Sequence, residues 1–401
     1  MTQKIAMDFA LMRSMAEIGD ASHEKRHRHP APSGRNNKKG VAKRAQKWMS
    51  IVVLLGAIIT TGCNTMYGED DPGRVPELPW ESVAPERQGM RSDDMARIAE
   101  YIEANNLSVD SVIIYQNGTV PAEMYFEPYT AGTSHNTKST SKGVISTLVG
   151  IALREGFIES LDESVLSYFP EYEEDDAEKA NISIRDLLTM SAGLRWEENG
   201  LNSMYTFFVS KRIAGRVLEQ PMVDAPGTEF NYNTGLTHLL SIIISRASGM
   251  STREFAQEYL FGPLDIQNVQ WDTDRDGYHI GGSELFLTPR DMLKLGVLYL
   301  NRGTYEGRQI LTNTWVQEST STQITGTFHG ARVEYGYLWW LGIGNPLFSY
   351  LDGESAFLAM GVHGQRILVL PERDTVVVVT ADMHDESQCD LLIRDFILPA
   401  L

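Results

Sequence analysis

Ser139-Thr140-Ser141-Lys142 is the segment where residue types and spacing first permit covalent chemistry. It stands at the mouth of a run through Val144, Ile145, Leu148, Val149 and Ala152, whose period predicts a helix. A serine and a lysine three apart share one face of such a helix, so the ammonium can approach the hydroxyl. Serine is a weak nucleophile until a neighbour takes its proton. A lysine whose pKa is lowered by burial can do this, or can assist another base. The N–H groups at a helix start favour developing negative charge. Gly143, Ser146 and Gly150 permit the close packing that a buried catalytic helix needs. Spacing alone leaves a plainer alternative open, an N-cap serine beside a solvated lysine. Ser22-His23-Glu24-Lys25 repeats the same spacing in a polar tail.

A second candidate follows about 90 residues later. The loop Pro226-Gly227-Thr228-Glu229-Phe230-Asn231-Tyr232-Asn233-Thr234-Gly235 precedes an apolar helix from Leu236 to Ser248 that ends at Gly249. Tyr232 can act as a second acid/base group if nearby cations depress its pKa; otherwise it packs under the loop. Other patterns carry less. No Gly-x-Ser-x-Gly occurs, which disfavours a nucleophile-elbow hydrolase. Asp272-Thr273-Asp274-Arg275-Asp276-Gly277 opens like a calcium loop, but Ser283 stands where the bidentate Glu is required, so an Asx-rich surface turn is expected. His27-Arg28-His29 lacks ligand partners, and neither a metal nor a cofactor is expected. Glu173-Glu174-Asp175-Asp176 reads as a solvated acidic face. Trp339-Trp340 should split between core and pocket wall, one to each side of a strand.

Positioning these groups requires a scaffold. Ser92 to Asn105 predicts a helix with Met95, Ile98 and Ile102 on its apolar face. Val109–Tyr115 and Ala122–Tyr125 flank Gln116-Asn117-Gly118-Thr119, an Asn-Gly hairpin signal. The region from about 140 to 300 is mostly helical. Tyr337–Leu341, Ala356–Met360, Arg366–Leu370 and Thr375–Thr380 read as strands, with Pro371-Glu372-Arg373-Asp374 turning the last pair, and a helix from Glu386 to Ile397 closes the chain. This pattern predicts an α+β fold: an antiparallel sheet built from both chain ends, flanked by helices, around a mostly helical middle. Segments 197–225 and 302–334 are expected to supply loops that wall the pocket.

The chain has 401 residues, a formal net charge of −18 and two cysteines, Cys63 and Cys389. The charge is divided: residues 1–50 carry 11 Lys+Arg against 4 Asp+Glu, whereas everything from Asn64 onward sums to −25. Such an acidic body excludes a nucleic-acid partner, which needs a surplus of Lys and Arg. Two cysteines exclude a disulfide framework or a Cys-rich zinc site. Lys43, Arg44 and Lys47 precede an apolar stretch from Met49 to Cys63 that is too short for a membrane span and suits a signal-peptide core. Its Gly62-Cys63 end resembles the lipobox of bacterial lipoproteins, with Thr60 where Leu is usual. That resemblance implies lipid on Cys63, a signal peptide over 41–63, a tether over 64–79 and a domain over 80–401 facing the periplasm or exterior. Residues 1–40 form a polar tail, and one reading places them upstream of a translated start near Val41.

Residues from about 83 to 399 resemble the serine β-lactamase/penicillin-binding-protein superfamily in its class C-like branch. They look most like 6-aminohexanoate-dimer hydrolases and family VIII carboxylesterases. The resemblance rests on Thr137 to Lys142, Leu187 to Trp196, Phe230 to Gly235, Leu285 to Met292 and Gly361-Val362-His363-Gly364-Gln365. It implies Ser139 as the acylated nucleophile, Lys142 as its activating partner and Tyr232 as the proton shuttle to the leaving group. The backbone N–H groups of Ser139 and Val362 would form the oxyanion hole. Thr234 takes the place of an asparagine that contacts substrate, and His363 would sit beside the pocket. The superfamily's Lys-Thr-Gly falls on Ala359-Met360-Gly361, so the two residues that bind a β-lactam carboxylate are missing. The implied activity is hydrolysis of a small amide or ester through an acyl-enzyme, with β-lactams poor substrates. The alternative is a catalytically silent penicillin-recognising protein that binds peptidoglycan peptides or a protein partner.

Overall fold

The computed structural model describes residues 76–172, 178–198, 211–351 and 353–401. Cys63 with its apolar run, residues 1–40, most of the tether and the acidic run Glu173 to Asp176 lie outside the described residues. Fourteen strands are described: β1 (Glu81–Ser82), β2 (Val109–Gln116), β3 (Thr119–Tyr125), β4 (His135–Asn136), β5 (Gln270–Trp271), β6 (Leu285–Leu287), β7 (Thr304–Tyr305), β8 (Arg308–Gln309), β9 (Ile324–Phe328), β10 (Ala331–Tyr335), β11 (Trp340–Leu341), β12 (Phe357–Gly361), β13 (Gln365–Leu370) and β14 (Thr375–Ala381). The helices used below are α1 (Ser92–Ala104), α2 (Ser141–Arg154), α3 (Thr234–Ser248), α4 (Pro289–Leu300) and α5 (Ser387–Leu392).

Both chain ends meet in one nine-stranded sheet, ordered β1-β3-β2-β14-β13-β12-β11-β10-β9. The expected hairpin is β2–β3, and β14 lies beside β2 with Val378 opposite Ile113. The sheet is α+β as expected but mixed, because β1 pairs parallel to β3 at the edge. Two exposed residues carry no alternating pattern from which that pairing could be read. A second departure is at β11. Tyr337 and Leu338 belong to a turn, with Leu338 at φ 65°, so the strand begins only at Trp340.

Neighbouring residues of β13 show how the layers form. Ile367 meets α4 at Gly296, while Arg366 turns to Asp390 of α5 on the other face. Gly296 is required there: a Cβ would come within 2.5 Å of Val376. The helix α1 buries Met95, Ile98 and Ile102, the three residues its period selected. Its Tyr101 stacks on Phe396 near the C-terminus, with centroids 4.0 Å apart. The helix α2 is buried from Ser141 to Ala152. Gly143 lies under Trp339 and Ala359, and Gly150 under Trp315.

Segment 302–334 is more than loop. It contains β7–β8, a helix at Asn313–Ser319 and the antiparallel pair β9–β10, which extends the main sheet. The Asp272–Gly277 turn is an Asx turn as expected, with Asp274 Oδ1 accepting from the N–H groups of Asp276 and Tyr278 at 2.9 Å. It is not wholly a surface feature, because Asp274 is buried and holds His238 Nε2 at 3.0 Å.

Candidate active site

Ser139 sits in a 3-10 turn, Lys138–Thr140, that feeds directly into α2. The chain enters this turn through Lys138 in the left-handed region, φ 50°. Asn136 supports that conformation: its Oδ1 accepts from the Lys138 N–H at 3.0 Å, and its Nδ2 donates to Glu284 at 2.9 Å. Thr137 donates both its N–H and its hydroxyl to the Leu285 carbonyl at 2.8 Å, fastening the turn to β6. Ser139 is thus held from both sides, and its side chain remains partly open to solvent.

Lys142 lies one turn inside α2, 2% exposed. Its Nζ donates to Ser139 Oγ at 2.9 Å, Thr234 Oγ1 at 2.9 Å and the Gly282 carbonyl at 3.0 Å. An ammonium has three donors, and all three are used. Burial pushes its pKa down to about 8, against a weaker upward pull from Glu198. This is the lowered lysine pKa that the serine-lysine spacing requires.

Tyr232 lies over the same group, with Lys142 Nζ 5.0 Å from its ring centroid. Its loop is fixed by Asn231 N–H to the Met190 carbonyl at 2.8 Å and by Asn233, which caps α3 through Leu236 N–H. The shift at Tyr232 runs upward, not in the direction that nearby cations alone would give. Burial, reinforced by Glu198, raises the Tyr232 pKa, and contact with the Ser139 hydroxyl offsets only part of the rise. Burial thus favours the protonated phenol, and the amine that touches Ser139 Oγ is Lys142, at 2.9 Å.

Thr234 meets Lys142 from the first turn of α3. It is 1% exposed, and its hydroxyl accepts from Lys142 and donates to Glu198 Oε1. Its hydroxyl lies between the lysine and the carboxylate, with almost no surface open to solvent. His363 has φ 68° on the rim and holds Asp382 Oδ1 through Nδ1 at 2.8 Å. Val362, whose N–H the resemblance assigns to the oxyanion hole, follows the last residue of β12. Gly361 comes so close to the Ser139 turn that a Cβ would lie 2.6 Å from the Thr137 carbonyl oxygen. Arg366, buried, donates to the Gly361 carbonyl at 2.8 Å and so orients the Gly361–Val362 peptide. Trp340 faces Tyr232, while Trp339 packs on Tyr299 and Phe357; the two point apart as expected, but Trp339 precedes β11 and both are buried.

Two site components were not read from the sequence. Glu198 reaches the site from the loop after Trp196, where its Oε2 accepts from the Thr234 N–H at 3.0 Å and Trp196 Nε1 at 2.6 Å. Gly282 presents its carbonyl to Lys142, and a Cβ there would lie 2.3 Å from Thr234. Gly281-Gly282 was the available signal, since paired glycines mark close backbone approach.

A half-buried serine backed by a buried lysine of lowered pKa, on a helix under a mixed sheet, defines a serine hydrolase site. The sequence profile described as Beta-lactamase matches residues 96–398, and the chain belongs to that family. It is similar to the 6-aminohexanoate-dimer hydrolase of Paenarthrobacter ureafaciens, 24% identical over 297 residues covering 69% of this chain and 73% of that one. Among solved structures it is similar to a Bacillus anthracis protein proposed to be a 6-aminohexanoate-dimer hydrolase, with TM-score 0.67, 21% identity, and 81% and 89% of the two chains covered. It is also similar to a family VIII carboxylesterase, with TM-score 0.65, 15% identity, and 81% and 100% covered.

Proposed function

We propose that this protein hydrolyses a small linear amide or ester through an acyl-enzyme on Ser139. The observation that carries the reading is Lys142, buried, with its pKa lowered to about 8 and 2.9 Å from Ser139 Oγ. Neutral Lys142 takes the Ser139 proton as Oγ bonds to the substrate carbonyl carbon, whose π electrons move to oxygen. The N–H groups of Ser139 and Val362 receive that oxyanion. As the intermediate collapses, the carbon–nitrogen or carbon–oxygen bond breaks, Tyr232 gives its proton to the leaving group, and the proton held by Lys142 passes across Ser139 Oγ, which contacts both groups, to replace it. Water then repeats the sequence on the acyl-enzyme, restoring Ser139.

A labelled fluorophosphonate tests the reading. Covalent labelling of Ser139, lost in Ser139→Ala, is expected. An unlabelled protein would favour the silent binder. Turnover of short esters, D-amino-acid amides and linear amide oligomers by the domain from residue 64 onward then defines the substrate.

The anchor belongs to the same reading. The basic residues, short apolar run and Gly62-Cys63 support lipid on Cys63 and a place at the bacterial cell envelope, facing the periplasm or exterior. Labelled palmitate should enter the wild-type protein and not Cys63→Ser. A wild-type protein that takes up no lipid and fractionates away from membranes would rule this out.

A further inference from the structure

Glu198 holds the hydrogen atoms around Lys142 in one arrangement. A carboxylate can only accept, and an ammonium can only donate. The Thr234 hydroxyl between them therefore has one direction, accepting from Lys142 and donating to Glu198 Oε1. Glu198 Oε2 is itself fixed, because the Thr234 N–H and Trp196 Nε1 both donate to it. Two rigid donors thus orient the carboxylate, the carboxylate orients the hydroxyl, and the hydroxyl faces the lysine.

We propose that Glu198 is a positioning residue that keeps Thr234 an acceptor, so that neutral Lys142 can turn its lone pair only toward Ser139. This rests on the hydrolase reading above. Once deprotonated, Lys142 has two N–H bonds and one lone pair. The Gly282 carbonyl can only accept, and Thr234, its proton committed to Glu198, can also only accept. Those two contacts take the two N–H bonds. The remaining direction is Ser139 Oγ, 2.9 Å away. A Thr234 hydroxyl free to rotate could instead donate to the lone pair and occupy the base.

Replacing Glu198 with Gln inverts the wiring at nearly constant shape. The amide oxygen must face the Thr234 N–H and Trp196 Nε1, because both are donors. Its NH2 group then faces Thr234 Oγ1 and donates to it. The threonine proton is released toward Lys142, in competition with Ser139. The substitution also removes a negative charge. Among the described residues, the charged and titratable groups facing Lys142 are Glu198 and Tyr232; the Gly281-Gly282 segment offers only a carbonyl. With Glu198 neutral, the upward pull on Lys142 is lost, so its base form persists to lower pH.

The rate of fluorophosphonate labelling, followed against pH, reads this directly. Ser139 Oγ displaces fluoride from phosphorus while its proton passes to Lys142, and fluoride needs no proton from Tyr232, so the measurement isolates serine activation. On the high-pH plateau Glu198→Gln should label about tenfold more slowly, the scale of a modest misplacement of a catalytic group. Its rising limb should move to lower pH. Thr234→Ser, which keeps a hydroxyl, should label faster than Thr234→Val. In the Thr234→Val background Glu198→Gln should cost little more on the plateau, since the hydroxyl through which it acts is gone. A Glu198→Gln protein with wild-type plateau and limb would overturn the inference alone, as would an equal loss in the Thr234→Val background. Failure of the unmodified protein to label would remove the hydrolase reading itself, and this inference with it.

Discussion

Trp340 lies against the ring of Tyr232, with centroids 5.5 Å apart and planes at 28°. Phe328 closes the other approach, 5.3 Å from Tyr232 and 5.0 Å from Trp340. Tyr232 is therefore clamped by aromatic side chains from β9 and β11, about a hundred residues further along the chain. Burial behind this wall, with Glu198 nearby, disfavours a phenolate, and the rings hold the phenol in one orientation.

Loss of part of that wall should affect rate more than folding. Phe328 is half-buried near the tip of the β9–β10 hairpin, so Phe328→Ala removes a ring contact without opening the core. We expect kcat to fall about tenfold through misorientation of Tyr232. Trp340→Ala, at a position 2% exposed, should in addition cost about 3–5 kcal/mol of stability. Steady-state kinetics beside thermal unfolding separate the two, and an unchanged kcat in Phe328→Ala would dismiss the clamp.

The relay predicts unequal, non-additive losses. Ser139→Ala should abolish turnover and leave the fold intact, since one oxygen is deleted from a 3-10 turn held by Thr137 and Asn136. Lys142→Ala and Tyr232→Phe should each lower kcat by at least about 10²-fold, the low end for a positioned acid or base. The double variant should lose less than the product, as both act on one proton path. Full additivity would show that they act in separate steps.

What could be read from the sequence follows contact distance along the chain. Ser139 and Lys142 share a helical face, so their spacing announced them. The α1 face at Met95, Ile98 and Ile102 was equally plain. Glu198 meets Thr234 only because two loops converge, and no periodicity relates positions 36 apart. The β9–β10 pair was concealed by Gly326 and Gly330, which interrupt a short polar alternation, although His329-Gly330 at φ 49° and 79° is a turn signal. For Tyr232 the sequence offers the residue and a nearby cation but not the direction of its pKa shift. The nearby cation was weighed without Glu198 and without the burial that the folded loop imposes.

Lys142 should leave a signature in stability as well as in rate. Its folded pKa of about 8 lies below the usual 10.5, so between those values the unfolded chain binds the extra proton. Stability then rises with pH across that window, and the burial penalty is present in full below about pH 8. Lys142→Met carries no such group. The free-energy gap between Lys142→Met and wild type should therefore change by about 3 kcal/mol in favour of wild type from pH 8 to 10.5. Chemical denaturation at several pH values reads it, and a constant gap would mean that the lysine is not held neutral. The same value places the rising limb of kcat/KM near pH 8.

Gly361→Ala tests the seam between β12 and the nucleophile turn. Gly361 has an ordinary extended backbone, φ −122°, so the substitution adds no dihedral strain. Its Cβ would instead sit 2.6 Å from the Thr137 oxygen and 3.0 Å from Lys138 Cβ, forcing β12 away from Ser139. Separating the Val362 and Ser139 N–H groups should cost about 10²-fold or more in kcat, the effect of losing one oxyanion donor. KM should change less. A variant with normal kcat would exclude Val362 from the oxyanion hole.

Substrate choice gives the last prediction. At the positions matching Lys-Thr-Gly, Ala359 is buried, its Cβ 3.4 Å from where a Cβ on Gly143 would stand, and Met360 brings no charge or hydroxyl. Thr234, at the place of a substrate-binding asparagine, is taken up by Lys142 and Glu198. His363 has its Nδ1 engaged by Asp382 Oδ1 at 2.8 Å. A β-lactam carboxylate would therefore enter without a charge-assisted hydrogen bond and would meet a domain of net charge −25 from Asn64 onward. One such bond is worth roughly 1.5–3 kcal/mol. We expect neutral short esters or amides to exceed penicillins and cephalosporins in kcat/KM by about 10²-fold or more. A penicillin turned over as fast as the best ester would refute this, and loss of that activity in His363→Ala would assign the carboxylate to His363.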